Sequence, residues 1–167
     1  VAAIVGPLQS DVTGPVASNA QVFEVPQVAF GGTSDSLSDR TLYPWLLRTK
    51  PPASLQSAAM WAWLNHFQVP SAACLYTRES YGEGFYQNIL RLAVDAGDSA
   101  RVTGISFPVM NEEDEDVDLL LKAVRSLREA GKRFILLCSN ALNANNVMYA
   151  METEGMLYGA FQILASD

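Results

Sequence analysis

Three turns between apolar runs and helical segments carry the residue types that can hold a small ligand. The first is Gly6-Pro7-Leu8-Gln9-Ser10-Asp11, ahead of a helical stretch running toward Phe23. Such a turn sets backbone N–H groups and the Ser10 hydroxyl at a helix N-terminus, where unpaired donors and the helix dipole attract an anion such as a carboxylate. The second is Ala29-Phe30-Gly31-Gly32-Thr33-Ser34. Its glycines, Gly31 first, let backbone approach a ligand closely, and Thr33 adds a second hydroxyl. The third is Thr77-Arg78-Glu79-Ser80-Tyr81-Gly82-Glu83-Gly84. There Tyr81 can offer an aromatic face and a hydroxyl, with Gly82 and Gly84 relaxing the backbone around it. A plainer reading stays open, with Ser10 as a helix N-cap and Thr33 as a turn residue. Pro15 would fall in the second turn of a helix begun at Ser10, so that helix is expected to kink or to start nearer Thr13.

Other chemistry finds no support. The chain contains no GxSxG elbow, no P-loop and no GxGxxG, so it does not read as an enzyme. His66, the single histidine, lies among Trp and Phe on a helical segment and reads as a core or surface residue rather than a general base. Cys74 and Cys138 sit in the apolar runs AACLYT and FILLCS. They read as two buried free thiols rather than a bridge or a nucleophile. With no CxxC and no Cys/His cluster, neither a metal nor a cofactor is expected. The run Glu112 to Asp116 reads as a solvated helix start rather than a metal site.

The elements that must position these turns alternate. Strands are expected over 1–5, 27–31, 71–77, 101–107, 133–139 and 160–165, each a short apolar run bounded by Gly, Pro, Ser or Asn. Their near-continuous apolar character predicts a sheet covered on both faces. Helices are expected over 54–67, 83–96, 115–130 and, loosened by three Asn, 141–155. In the first, Leu55, Ala59, Ala62 and Trp63 share one face. In the second, Phe85, Ile89, Leu92 and Ala93 come together. In the third, Val117, Leu120, Leu121, Val124 and Leu127 form a single stripe, with acid at the start and Arg125, Arg128 and Gly131 at the end. The alternation of strands and helices predicts an α/β fold with parallel sheets.

The chain has 167 residues, of which 49% are hydrophobic and 17% charged, and a net charge of −7. That is globular composition with room for a core. The acidic balance excludes a nucleic-acid partner or a polybasic membrane-surface binder, both of which need clustered positive charge. No apolar run approaches the ~20 residues of a membrane span, and no charged n-region with an apolar h-region opens the sequence. Val1 leads directly into a strand-like run and FQILASD closes on another. The sequence is therefore expected to be a fragment. Pro51 and Pro52 break any element in RTKPPAS, and Ser54 can cap the helix behind them. The expected division is 1–52, a partial lobe, and 53–167, most of a second lobe.

In order and spacing, AIVGPLQSDVTGPVASNAQVFEVPQVAFGGTSDSLSDRTLYPWLLRTKPP resembles the ligand-binding region of class C G-protein-coupled receptors and of receptor guanylate cyclases. VPQVAF…TS…LSDR…YPWLLRT is its most specific stretch. YGEGF is also similar to bacterial branched-chain amino-acid binding proteins of the same fold. The resemblance is strong over 1–97 and weaker beyond.

The resemblance implies a two-lobed, type I periplasmic-binding-protein-like (venus flytrap) fold whose cleft closes on a small amino-acid-like or carboxylate ligand. By the metabotropic glutamate receptor pattern, Ser10 matches the serine that holds the ligand carboxylate. Gly31 and Thr33 match the first-lobe loop that contacts carboxylate and amino group. Tyr81 matches the second-lobe tyrosine that lies against the ligand, and Asp167 the second-lobe aspartate that pairs with the ammonium. Ala53 stands where that pattern has an acidic hinge residue, and PPAS looks more like the GABA-binding receptors. The resemblance further implies an extracellular position, attachment to the membrane only through segments absent from this sequence, and a homodimer formed through the first lobe. The alternative is a soluble, periplasmic solute-binding protein of an amino-acid transport system.

Overall fold

A computed structural model describes residues 2–110, 117–157 and 161–166. Strands β1 (Ile4–Val5), β2 (Gln27–Ala29) and β3 (Leu46–Arg48) form one parallel sheet in the order β1-β2-β3. Helix α1 (Ser10–Val22) joins the first two strands, and a short 3-10 turn (Asp35–Ser38) lies between the second and third. Helix α2 (Ala53–His66) leads to the second parallel sheet. Its strands β4 (Ala72–Thr77), β5 (Val102–Phe107), β6 (Phe134–Cys138) and β7 (Gln162–Ala165) lie in the order β5-β4-β6-β7. Helices α3 (Ser80–Asp95), α4 (Val117–Glu129) and α5 (Ala141–Thr153) connect them.

The second sheet is buried on both faces, as its continuous apolar strands predict. Ala72, Cys74, Leu136 and Cys138 pack on one side with Leu64 of α2 and Phe85 and Ile89 of α3. Ala73, Leu75, Ile135 and Leu137 pack on the other with Leu120, Val124 and Leu127 of α4 and Val147 and Met151 of α5. Alternate residues along each strand thus supply two separate cores. Both cysteines are free and buried. A smaller core of Ala17, Ala29, Leu37 and Leu46 sits under the first sheet.

Several expectations are corrected. The strand β3 was not predicted, because LLR is too short a run, flanked by Trp45 and Thr49, to stand out from its surroundings. In α2 the buried face is Ala53, Ser57, Met60, Trp61 and Leu64, whereas Leu55, Ala59 and Ala62 are exposed. Apolar residues surround this helix, so its periodicity does not select a face. In α4 Val117 is exposed and Ala123 takes its place beside Leu120, Val124 and Leu127. Glu112 to Asp116 lie outside the described residues. Helix α1 begins at Ser10 with Pro15 inside it. A proline there forfeits only the one bond to the Asp11 carbonyl. The Asn residues do not loosen α5. The Asn140 side chain caps it by accepting from Asn143 N–H at 2.9 Å, and buried Asn143 accepts the Met110 N–H at 2.7 Å. Among the described residues no helix is long and apolar enough to cross a membrane.

Candidate functional site

The carboxyl ends of six strands open onto one cleft, with a volume of about 280 Å³. In parallel α/β folds this end of the sheet is where ligands sit. Leu8 to Asp11 follow β1, Gly31 and Thr33 follow β2, and Lys50 follows β3. From the second sheet come Glu79 and Tyr81 after β4, Val109 after β5, and Asn140 and Ala141 after β6. Four of the five residues singled out from the sequence, Ser10, Gly31, Thr33 and Tyr81, therefore line a common space. Asp167 lies outside the described residues. A second hollow of about 80 Å³, between Trp63, Phe134 and Leu164, is walled almost entirely by apolar groups and contains none of these side chains.

Ser10 does not cap α1. The N-cap position is Gln9, which makes no side-chain cap hydrogen bond. The first backbone bond of the helix runs from Thr13 N–H to Gln9 O at 2.9 Å. The N–H groups of Ser10, Asp11 and Val12 precede it and face the end of the helix. Ser10 is buried, and its Oγ accepts the Ser34 N–H across the turn at 3.1 Å. That bond fixes the hydroxyl at the cleft wall and leaves its proton to donate to an acceptor. Thr33 is buried beside it, its carbonyl taking the Ala53 N–H at 2.7 Å. Gly31 approaches Leu8 so closely that a Cβ would lie 2.4 Å from the Leu8 carbonyl oxygen. The glycine serves the contact between the two turns.

The opposite wall is the start of α3. Glu79 occupies the N-cap position, its carboxylate accepting from Tyr81 N–H at 2.7 Å and Gly82 N–H at 2.8 Å. Thr77 Oγ1 donates to the same group at 2.8 Å. A negative charge at a helix start is favoured by the dipole and by these donors. Tyr81 is buried with its hydroxyl 3.1 Å from Gln56 Oε1 in α2 and its ring tilted against Phe85. Behind it lies Cys138. Burial pushes that thiol up to about 12, against hydrogen bonds from the Ser166 and Tyr81 side chains. The two walls also touch each other. Asp11 Oδ1 accepts the Ser80 N–H at 3.2 Å, and Ser34 Oγ donates to the Ser80 carbonyl at 3.4 Å.

Sequence reasoning missed Lys50, Glu79 and Asn140 as cleft residues. Lys50 follows the unpredicted β3. Glu79 lay inside a quoted turn where only Tyr81 was weighed. Asn140 follows FILLC in the same strand-then-helix relation that marks Ser10, and that rule applied to every strand finds it. Among the described residues no group of three or more His, Cys, Asp or Glu side chains is gathered as a metal ion requires.

Comparison with known proteins gives the same reading as the sequence. The family model of the receptor family ligand-binding region matches residues 1–167. Metabotropic glutamate receptor 6 of Rattus norvegicus is 28% identical over 168 residues, covering 100% of this chain and 19% of that receptor. Taste receptor type 1 member 2 of Mus musculus is 27% identical over 150 residues, covering 87% of this chain and 18% of that receptor. The chain thus spans about a fifth of the length of these relatives, which are class C receptors and not enzymes. An α/β architecture of parallel sheets, a cleft at the strand tips and a match over the whole sequence agree: the chain belongs to the family of receptor ligand-binding regions.

Proposed function

We propose that the chain is part of the extracellular ligand-binding region of a class C G-protein-coupled receptor, and that its cleft takes a small carboxylate such as an amino acid. Residues 1–52 belong to a partial first lobe and 53–167 to most of a second. Ligand binding closes the lobes, and the closed state holds the ligand more tightly, which is what shifts the equilibrium. The Ser10 hydroxyl, the N–H groups at the start of α1 and Thr33 receive the carboxylate. Tyr81 and Asp167 engage from the other side. Segments outside this chain tie it to the membrane, and two copies pair through the first lobe.

The observation that carries this reading is the convergence of Ser10, Thr33 and Tyr81, from turns far apart in sequence, on one cleft. Its volume lies at the lower end of the ~300–1,000 Å³ usual for small-molecule sites. The family and the names of the relatives support a receptor over a transport protein. Calorimetric titration of the full-length protein with small carboxylates tests it. Ser10→Ala and Thr33→Ala are each expected to weaken binding about tenfold, the worth of one charge-assisted hydrogen bond. Unchanged affinity in both variants removes the anion site.

A further inference from the structure

Among the described residues, Lys50 is the one cation lining the cleft. It is half-buried, two residues beyond the end of β3. The lining carboxylates are Asp11 and Glu79. Asp11 accepts the Ser80 N–H, and Glu79 accepts from Thr77, Tyr81 and Gly82. Those negative charges already serve α3. An ammonium carries three donors, so Lys50 can keep a protein partner and still donate to a ligand.

Position adds a length. Ser10, Thr33 and Lys50 follow β1, β2 and β3, the sequential neighbours of one parallel sheet. Neighbouring strands are ~4.8 Å apart, so the tips of β1 and β3 are about 10 Å apart. A short diacid with each carboxylate in a hydrogen bond of ~2.8 Å bridges such a gap. A monoacid reaches one end of it.

We propose that Lys50 makes the cleft select ligands with a second anionic group, small diacids or acidic amino acids, over neutral isosteres. This rests on the reading of the cleft as the ligand site.

The test is calorimetry on the full-length protein at neutral pH with glutarate and its monoamide, glutaramate, which differ in one charge and little in shape. The wild type is expected to bind glutarate about tenfold more tightly. Lys50→Met is expected to abolish the difference while leaving glutaramate affinity unchanged, and Lys50→Arg to preserve it. Equal wild-type affinity for the two probes overturns the role of Lys50 and leaves the cleft reading standing, as does a difference that survives Lys50→Met. Binding of both probes that ignores Ser10→Ala and Thr33→Ala overturns the cleft reading instead, and absence of heat with either probe removes both. The wild-type comparison decides the matter by itself if Lys50→Met loses its fold.

Discussion

Asp35 caps a helix to which it does not belong: its Oδ1 accepts both the N–H of Ser54, at 3.3 Å, and the Ser54 hydroxyl, at 2.7 Å. Helix α2 starts behind Pro52, whose side chain has no acceptor, so Ser54 is a donor here and not the cap its type suggested. The second oxygen of Asp35 takes the Asn88 amide of α3. One carboxylate from the turn after β2 thus ties the starts of both following elements. Asp35→Ala is expected to lower stability by about 1–2 kcal/mol, in the range of a lost cap. The reading is a lower urea midpoint at constant slope. Asp35→Asn, which keeps an acceptor for Ser54, is expected to lose less. A midpoint unmoved by Asp35→Ala excludes the cap.

Gly82 and Gly84, alike in sequence context, differ in what surrounds them. A Cβ on Gly82 would lie 2.2 Å from the Thr77 carbonyl oxygen, which is backbone and cannot swing aside. The first turn of α3 is therefore pressed against the end of β4, and the glycine permits it. A Cβ on Gly84 meets nothing within 4 Å. Gly82→Ala is expected to cost about 1–3 kcal/mol through overpacking. Gly84→Ala in the same helix is expected to gain about 0.5–1 kcal/mol. Denaturation curves of the two variants moving in the same direction would contradict this geometry.

How much of this was legible follows from how local each feature is. Strand β4 and its turn could be read because AACLYT is apolar at every position and ends at a polar, glycine-rich turn. Ser10, Thr33 and Tyr81 could be found because each follows such a run. The cap on α2 was not legible, since Asp35 and Ser54 lie 19 residues apart and nothing in either segment points to the other. Nor was the buried face of α2, where Leu55 and Leu64 look equivalent and only packing on β4 chooses Leu64. Lys50 was missed because its strand is three residues long.

The Tyr81 hydroxyl turns toward Gln56 and Cys138, not only toward the cleft. The ring, packed near Phe85, is what the cleft wall presents. Tyr81→Phe is therefore expected to cost about 1 kcal/mol of stability for the lost hydrogen bond. Carboxylate affinity in that variant should stay within about threefold of wild type, because a change of that size is well under the worth of a direct ligand contact. Tyr81→Ala removes the ring and is expected to cost about 3 kcal/mol or more and to weaken binding. A large affinity loss in Tyr81→Phe with stability intact would show that the hydroxyl is a ligand contact.

Burial of the two thiols sets a pH dependence. Burial raises Cys74 well above the ordinary 9.0 and Cys138 to about 12. Between 9.0 and about 12 the unfolded chain has given up thiol protons that the folded chain keeps, so unfolding gains relative to folding as pH rises. The stabilising contribution is complete below 9.0 and is lost on the way to about 12. Tyr76, raised from 10.0 by burial, adds a loss of the same sign at higher pH. The urea midpoint is expected to fall between about pH 8 and about pH 10.5. In the double variant Cys74→Ala, Cys138→Ala the fall should be shallower, with the Tyr76 contribution remaining. Iodoacetamide, which attacks the thiolate, should label both cysteines slowly at neutral pH and rapidly in urea. A midpoint that ignores pH across this window, or labelling of the folded protein at the rate of an exposed thiol, would show that the cysteines are not held as buried thiols behind Tyr81.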